Sequence, residues 1–359
     1  MEGLMHSMFE PLRLASGHVL RNRLMFAPLT TQQSLADGRV SREDRHWLAM
    51  RAQGGFGLVL TAAAAVTADS RAFRGQYGTY SDAFLPGMTG LAHAVKRHGA
   101  IALVQLQHGG GRSLRTAGGA LAPSPTPAAR AANRGDLAEV IDAFASGAER
   151  SVRAGFHGVQ VHAAYGFLLA QFLDPQANRR TDAYGGSLDN RARLLREVLA
   201  AIRTRTPSAA LSVRLNFRDR GLRPDEMLAL AGELLVDGAV DHLDLVVEHP
   251  AVFEEMEAAR PTWLRTLNRR RGVLGLTGGF SSARSIEAAL ESGADLVGIG
   301  TAAVLHPDLP KQLLAHPGFR SRTLPATADY LAERGVSPPF LDYLADWPGF
   351  VTEADRAAA

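Results

Sequence analysis

A chain of 359 residues with 46% hydrophobic and 21% charged residues has ample material for a core and is not a disordered chain. The absence of cysteine removes disulfides, thiolate nucleophiles and Cys-ligated metal or iron–sulfur centres, leaving oxygen and nitrogen side chains or a cofactor to carry chemistry. A formal charge of +3 spread along the chain leaves no nucleic-acid footprint. Neither a bilayer-spanning apolar run nor a signal-peptide pattern is present, so no membrane association and a cytoplasmic location are expected.

In chain order, LRLASGHVLRNRL alternates around a Ser-Gly turn and predicts a β-hairpin within residues 1–23, a lid on whatever follows. Leu24–Ala27 is the first buried strand. Five segments then share one phrasing, a helix-like stretch, a glycine and a β-rich run: RAQGGFGLVLT, KRHGAIALVQLQ, VRAGFHGVQVH, LVDGAVDHLDLVV and LESGADLVGIG. Gly54, Gly99, Gly155, Gly238 and Gly293 fit the left-handed residue that closes a helix, and the continuous apolar runs after them fit parallel strands covered on both faces. Leu211–Arg214 and Val273–Leu276 complete eight strands. Between them Leu137, Val140, Ile141, Phe144, Ala148 and Val152 share a helical face. A second helix, capped by Ser187, carries Leu194, Leu195, Val198, Leu199 and Ile202, and Pro224 opens a third. Eight strands alternating with helices predict a single-domain (β/α)8 TIM barrel over 24–316, with the hairpin lid before it and a C-terminal helical tail over 317–359; an open doubly wound sheet is the alternative.

In such a barrel functional groups follow the C-terminal ends of the strands. There the sequence places Pro28 to Thr31, Ala62 to Ala65, Gln105 and His108, His162 and Tyr165, Arg214, Glu248 and His249, Thr277-Gly278-Gly279, and Gly300-Thr301. Thr277-Gly278-Gly279, with Ser281 and Ser282 behind it, is either a phosphate-cradling helix start or a tight turn. Gln105 and Arg214 suit the edge of a flat, anionic heterocycle, or Arg214 forms a structural pair with a carboxylate inside the barrel. If the chain turns helically after the fourth strand, His162 and Tyr165 project to one side and hold one substrate oxygen with two donors. Glu248 and His249 read as a second acid/base pair or as an exposed loop pair, and no His and carboxylate spacing assembles a metal site.

From FEPLRLASGHVLRNRLMFAPLT to GADLVGIGTAAVLHPDLP the chain resembles the old yellow enzyme family, FMN-dependent ene-reductases built on a (β/α)8 barrel. FLDPQANRRTDAYGGSLDNRARLL, after the fourth strand, carries the resemblance most specifically. It implies FMN as cofactor and NAD(P)H as reductant, and a small-molecule substrate, an α,β-unsaturated carbonyl compound that receives hydride at Cβ and a proton at Cα. It further implies that Pro28, Thr30, Ala63, Gln105 and Arg214 surround the flavin ring, Thr30 at a flavin carbonyl, and that Gly278, Gly279, Gly300 and Thr301 cradle the phosphate.

Three positions depart from the family pattern. The HxxH or HxxN pair that binds the substrate oxygen reads His162-Ala163-Ala164-Tyr165. The usual proton-donating Tyr is Phe167, so Tyr165 or a water is the expected donor. Thr301 replaces an Arg of the phosphate site. A redox-neutral isomerase, a flavin-dependent desaturase, or a barrel that has lost FMN and serves as a binding protein are the alternatives. Aromatic residues in FLDYLADWPGFV fit anchoring of the tail on its own barrel or on a second copy; in some members of the resembled family the tail helps form a dimer, which makes a homodimer the alternative to intramolecular packing.

Overall fold

The computed structural model describes residues 7–114, 119–219, 221–236, 238, 240–247, 264, 267, 269 and 272–352. Eight parallel strands close into a barrel in chain order: β3 (Leu24–Phe26), β4 (Leu58–Ala65), β5 (Ile101–Gln107), β8 (Gly158–Ala163), β9 (Ala210–Asn216), β10 (His242–Val246), β11 (Val273–Thr277) and β12 (Leu296–Ile299). Almost every residue of these strands is buried, because helices cover the outside and side chains fill the inside.

The hairpin of β1 (Leu12–Arg13) and β2 (Val19–Leu20) places Leu14 and Leu20 against Met25, Leu58, Leu60, Ile101, Leu103, Val273 and Leu296 at the N-terminal end of the barrel. The Ser16 amide donates to the Asp241 carboxylate just before β10, fixing this lid at the end opposite the strands' C-terminal ends. β6 (Ala120–Ala122) and β7 (Ala129–Ala131) pair between β5 and the helix that follows.

Helix α1 (Arg42–Gln53) starts with a Ser41/Asp44 capping box, and α2 (Leu85–Lys96) follows β4. α3 (Arg134–Arg153) starts with an Asn133/Asp136 capping box and buries Leu137, Val140, Phe144 and Ala148; Val152, expected on the same face, is exposed because the buried stripe continues through Ser151 instead. α4 (Leu168–Leu173) follows β8. α5 (Leu188–Arg205) is capped by Ser187 and buries all five predicted apolar residues, and α6 begins at Pro224. Gly99, Gly155, Gly238 and Gly293 adopt positive φ as expected. The first segment differs: Gly55 takes the left-handed turn and Gly54 does not. Gly54 is required for another reason, since a Cβ there would sit 1.9 Å from the Pro307 carbonyl oxygen.

After β11 come α7 (Ala283–Glu291), α8 (Thr301–Leu305) directly after β12, and α9 (Leu309–Ala315). The tail forms α10 (Ala328–Glu333) and α11 (Pro338–Ala345). It docks on its own barrel: Phe340 meets Trp47 of α1 edge-on at 4.9 Å, and Ser337 Oγ donates to Gln33 Oε1 at 2.8 Å. Among the described residues no helix is long and apolar enough to cross a membrane, and no group of His and carboxylates could hold a metal ion.

Candidate active site

The strand register brings the polar residues of the barrel interior together. Gln105 lies opposite Gln160, Gln160 opposite Ser212, Ser212 opposite His242, and Arg214 between His162 and Asp244. Side chains projecting inward from neighbouring strands therefore meet. Gln105 Nε2 donates to Gln160 Oε1 at 2.8 Å. Arg214, 3% exposed, sets its Nε 3.3 Å from Asp244 Oδ2, a charge contact without hydrogen-bond alignment, and turns Nη1 toward the Pro28 carbonyl at 3.4 Å. The expected structural pair with a buried carboxylate is therefore present, and the rest of the guanidinium lies against Pro28 at the C-terminal end of the barrel.

β4 carries a register shift between Leu60 and Ala63. At this bulge the Thr61 hydroxyl accepts from the Gln105 amide and from the Tyr77 hydroxyl, while Gln76 Nε2 holds the Ala63 carbonyl at 3.0 Å. Bulges re-aim the chain beside active sites, and this one sets Ala63 opposite Gln105, while Ala62 packs outward near Trp47 and Leu48 of α1. Thr30, half-buried, faces the Tyr343 hydroxyl of α11. His108, assigned to the mouth from sequence, is buried and structural: its Nδ1 accepts from the Gly110 amide, and burial pushes the ring down to about 4.

The turn after β8 is not helical. Tyr165 has φ +55° and Gly166 φ +66°, and α4 begins only at Leu168. The left-handed Tyr165 is held from both sides, its amide donating to Asn216 Oδ1 at 2.7 Å and its carbonyl accepting from Arg112. The result is still the expected juxtaposition. The Tyr165 ring, 42% exposed, lies 5.9 Å from the His162 ring and 5.6 Å from the Arg214 guanidinium carbon. Phe167 lies 5.3 Å from His162, with Arg112 stacked on it at 4.6 Å. Burial first, then the charges of Arg214 and Arg112, hold His162 well below the ordinary imidazole range, so the ring is neutral. Its Nδ1 is buried without a hydrogen-bond partner among the described residues. A cavity of about 400 Å³ opens beside this turn, bounded in part by Arg112, Gly166, Gln171 and Arg179.

Gly278 and Gly300 are half-exposed and Gly279 and Thr301 exposed, at the adjacent ends of β11 and β12. At Gly278 a Cβ would strike the Val247 carbonyl at 2.2 Å. At Gly300 it would touch only Leu29, at 3.5 Å, so packing within the chain does not demand glycine there and a cradle is left for an anion. Pro28 meets Arg214, Ala63 lies opposite Gln105 and Thr30 faces Tyr343, with the two glycine turns at the adjacent ends of β11 and β12; the groups present fit a flat heterocycle bearing a phosphate. Glu248 and His249 lie outside the described residues.

Four residues that sequence reasoning missed belong to this assembly. Gln160 and Asp244 were detectable as polar residues interrupting the apolar strands VQV and LDLVV. Arg112 and Tyr343 reach the site through tertiary packing and carry no local signal.

The sequence model of the NADH:flavin oxidoreductase / NADH oxidase family matches residues 7–316. The chain is 32% identical over 344 residues to an NADPH dehydrogenase of Geobacillus sp. (strain WCH70), covering 91% of this chain and 98% of that protein. It is 32% identical over 326 residues to a probable NADH-dependent flavin oxidoreductase of Bacillus subtilis (strain 168), covering 84% and 86%. Among solved structures, morphinone reductase in complex with tetrahydroNAD superposes with a TM-score of 0.77 at 28% identity, over 90% of this chain and 94% of that one. The old yellow enzyme homologue from Zymomonas mobilis gives 0.76 at 25% identity, over 90% and 96%. The barrel, its mouth and these likenesses agree: the chain belongs to the NADH:flavin oxidoreductase, or old yellow enzyme, family and is an FMN-dependent oxidoreductase with NAD(P)H as reductant.

Proposed function

We propose that the protein reduces electron-poor alkenes, α,β-unsaturated carbonyl compounds in particular. The observation that carries this reading is the buried, neutral His162, whose Nδ1 has no partner among the described residues, beside the Tyr165 ring above Arg214. When bound, FMN would supply hydride chemistry, with NAD(P)H as its reductant. Pro28, Thr30, Ala63, Gln105 and Arg214 line its ring in this reading, and Gly278, Gly279, Gly300 and Thr301 hold its phosphate. Thr301 lacks the charge of the family's Arg, which leaves backbone amides and a hydroxyl as donors.

His162 and Tyr165 direct an imidazole and a phenol at the substrate's carbonyl oxygen, and polarise the conjugated bond by hydrogen bonding to it. Phe167 has no proton to give, so Tyr165 or a water delivers the proton to Cα; the Phe167 ring instead stacks against the Arg112 guanidinium. General acids contribute about 10²–10⁴-fold to rate, so Tyr165→Phe is expected to slow reduction of an accepted enone about 100-fold, measured after rapid pre-reduction of the protein. An unchanged rate would assign the proton to water. The same Phe167 favours a second reading, a redox-neutral isomerase or a desaturase, which alkene-dependent reoxidation of the reduced protein would exclude. The exposed Trp347 on the tail fits a homodimer contact, which sedimentation at micromolar concentration tests.

A further inference from the structure

Asp244 is the junction of the polar layer inside the barrel and has no role in the reaction as described above. Its side chain is completely buried. Oδ1 accepts from the Thr277 hydroxyl at 2.6 Å, and Oδ2 accepts from Gln160 Nε2 at 3.3 Å and faces Arg214 Nε at 3.3 Å. Gln160 in turn receives the Gln105 amide at 2.8 Å and donates to Ser212 Oγ at 3.2 Å; Ser212 lies 3.0 Å from His242 Nδ1. Three residues at the mouth, Gln105, Arg214 and Thr277, therefore converge on one carboxylate: Arg214 and Thr277 directly and Gln105 through Gln160. Gly275, opposite Asp244, admits the His242 ring beneath this layer, since a Cβ there would meet His242 Nε2 at 2.4 Å.

An apolar residue at 244 would suit a strand buried on both faces, and a buried carboxylate is costly unless it has several partners. Two of the groups it holds, Arg214 directly and Gln105 through Gln160, are ones the proposed function places against the cofactor. We infer that Asp244 is a positioning residue that holds Arg214, Gln105 and Thr277 in one rigid arrangement and, by offsetting the guanidinium charge, sets the field Arg214 presents to the pyrimidine edge of FMN. This inference rests on the proposed placement of Gln105 and Arg214 against that edge. Two opposite charges at such separation cancel part of each other's field at a third group, so the field felt there depends on Asp244 as well as on the nearer Arg214.

The test is the midpoint potential of bound FMN in three variants. Asp244→Asn keeps the shape and removes the offsetting charge, so the reduced, anionic form is favoured and the potential rises by at least a tenfold change in the two-electron equilibrium, about 30 mV. Arg214→Gln lowers it. Gln160→Met, which cuts the link between Gln105 and Asp244, weakens FMN binding at least fivefold in equilibrium dialysis, and it supplies the result should Asp244→Asn not fold. If Arg214→Gln shifts the potential while Asp244→Asn leaves it unchanged, or if Gln160→Met binds FMN as the parent does, Asp244 is a passive carboxylate and the inference is overturned. If Arg214→Gln itself has no effect, the placement of Arg214 against the cofactor is wrong, and the inference falls with it.

Discussion

The floor of the mouth and its rim are built by different physics. The floor, from Gln105 through Gln160 and Asp244 to Arg214, sits on strands, is almost wholly buried, and is fixed by a continuous polar network. The rim, from Arg112 to Phe167, sits on turns and is held by stacked rings, a left-handed tyrosine and a few backbone contacts. The floor is suited to a permanently bound cofactor, because its polar groups are held by one another across neighbouring strands. The rim presents an exposed phenol, suited to ligands that enter and leave, beside the strand-borne His162, whose Nδ1 has no partner among the described residues.

Breaking the floor should have the largest effect. Arg214→Met removes one member of a buried ion pair and leaves Asp244 uncompensated, which costs about 3–5 kcal/mol; urea unfolding of the FMN-free protein reads it directly. A loss below about 1 kcal/mol would mean that the floor relaxes as easily as the rim.

Lowering the pH tests the support between the two regions. His108, which fastens the turn at Gly110, is pushed down to about 4 by burial, against about 6.5 in the unfolded chain. Below pH 6.5 the unfolded state takes up a proton that the native ring refuses, so stability rises with pH across this window and is lost as pH falls from 6.5 toward 4. The loss is on the order of 3 kcal/mol at pH 4, and a urea midpoint flat between pH 6.5 and 4.5 would contradict it.

The rim is the mildest case. Tyr165 occupies a conformation that costs an L-residue about 1–2 kcal/mol. Tyr165→Gly should therefore be more stable than Tyr165→Ala by about 1 kcal/mol, although neither retains the phenol. Equal melting temperatures would show that the turn relaxes once the ring is gone.

The same division governs what could be read from sequence. Strand-borne groups were readable, because a strand buried on both faces appears as an apolar run and its C-terminal end locates the mouth; Gln105, His162 and Arg214 followed from that alone. Asp244 and Gln160 stood in view but were absorbed into apolar strands, since a lone polar residue in such a run does not name its partners. The rim was harder. A helical turn at Tyr165 was the condition under which His162 and Tyr165 would share a side, yet Asn216 and Arg112, distant in sequence, hold it in the left-handed region, and no local pattern encodes that. The bulge in β4 was hidden in a run of alanines, where alternation carries no signal. Gly54 and Gly55 are indistinguishable as letters: only the approach of Pro307 separates the glycine needed for space from the one needed for its φ.

The central claim, an FMN-dependent reductase of activated alkenes, is tested most directly by the visible spectrum of the purified protein mixed anaerobically with NADPH and then with an enone such as 2-cyclohexenone. The account predicts a flavin spectrum that bleaches on reduction and returns as the enone is consumed. A flavin that bleaches but stays reduced in the presence of enones would contradict it.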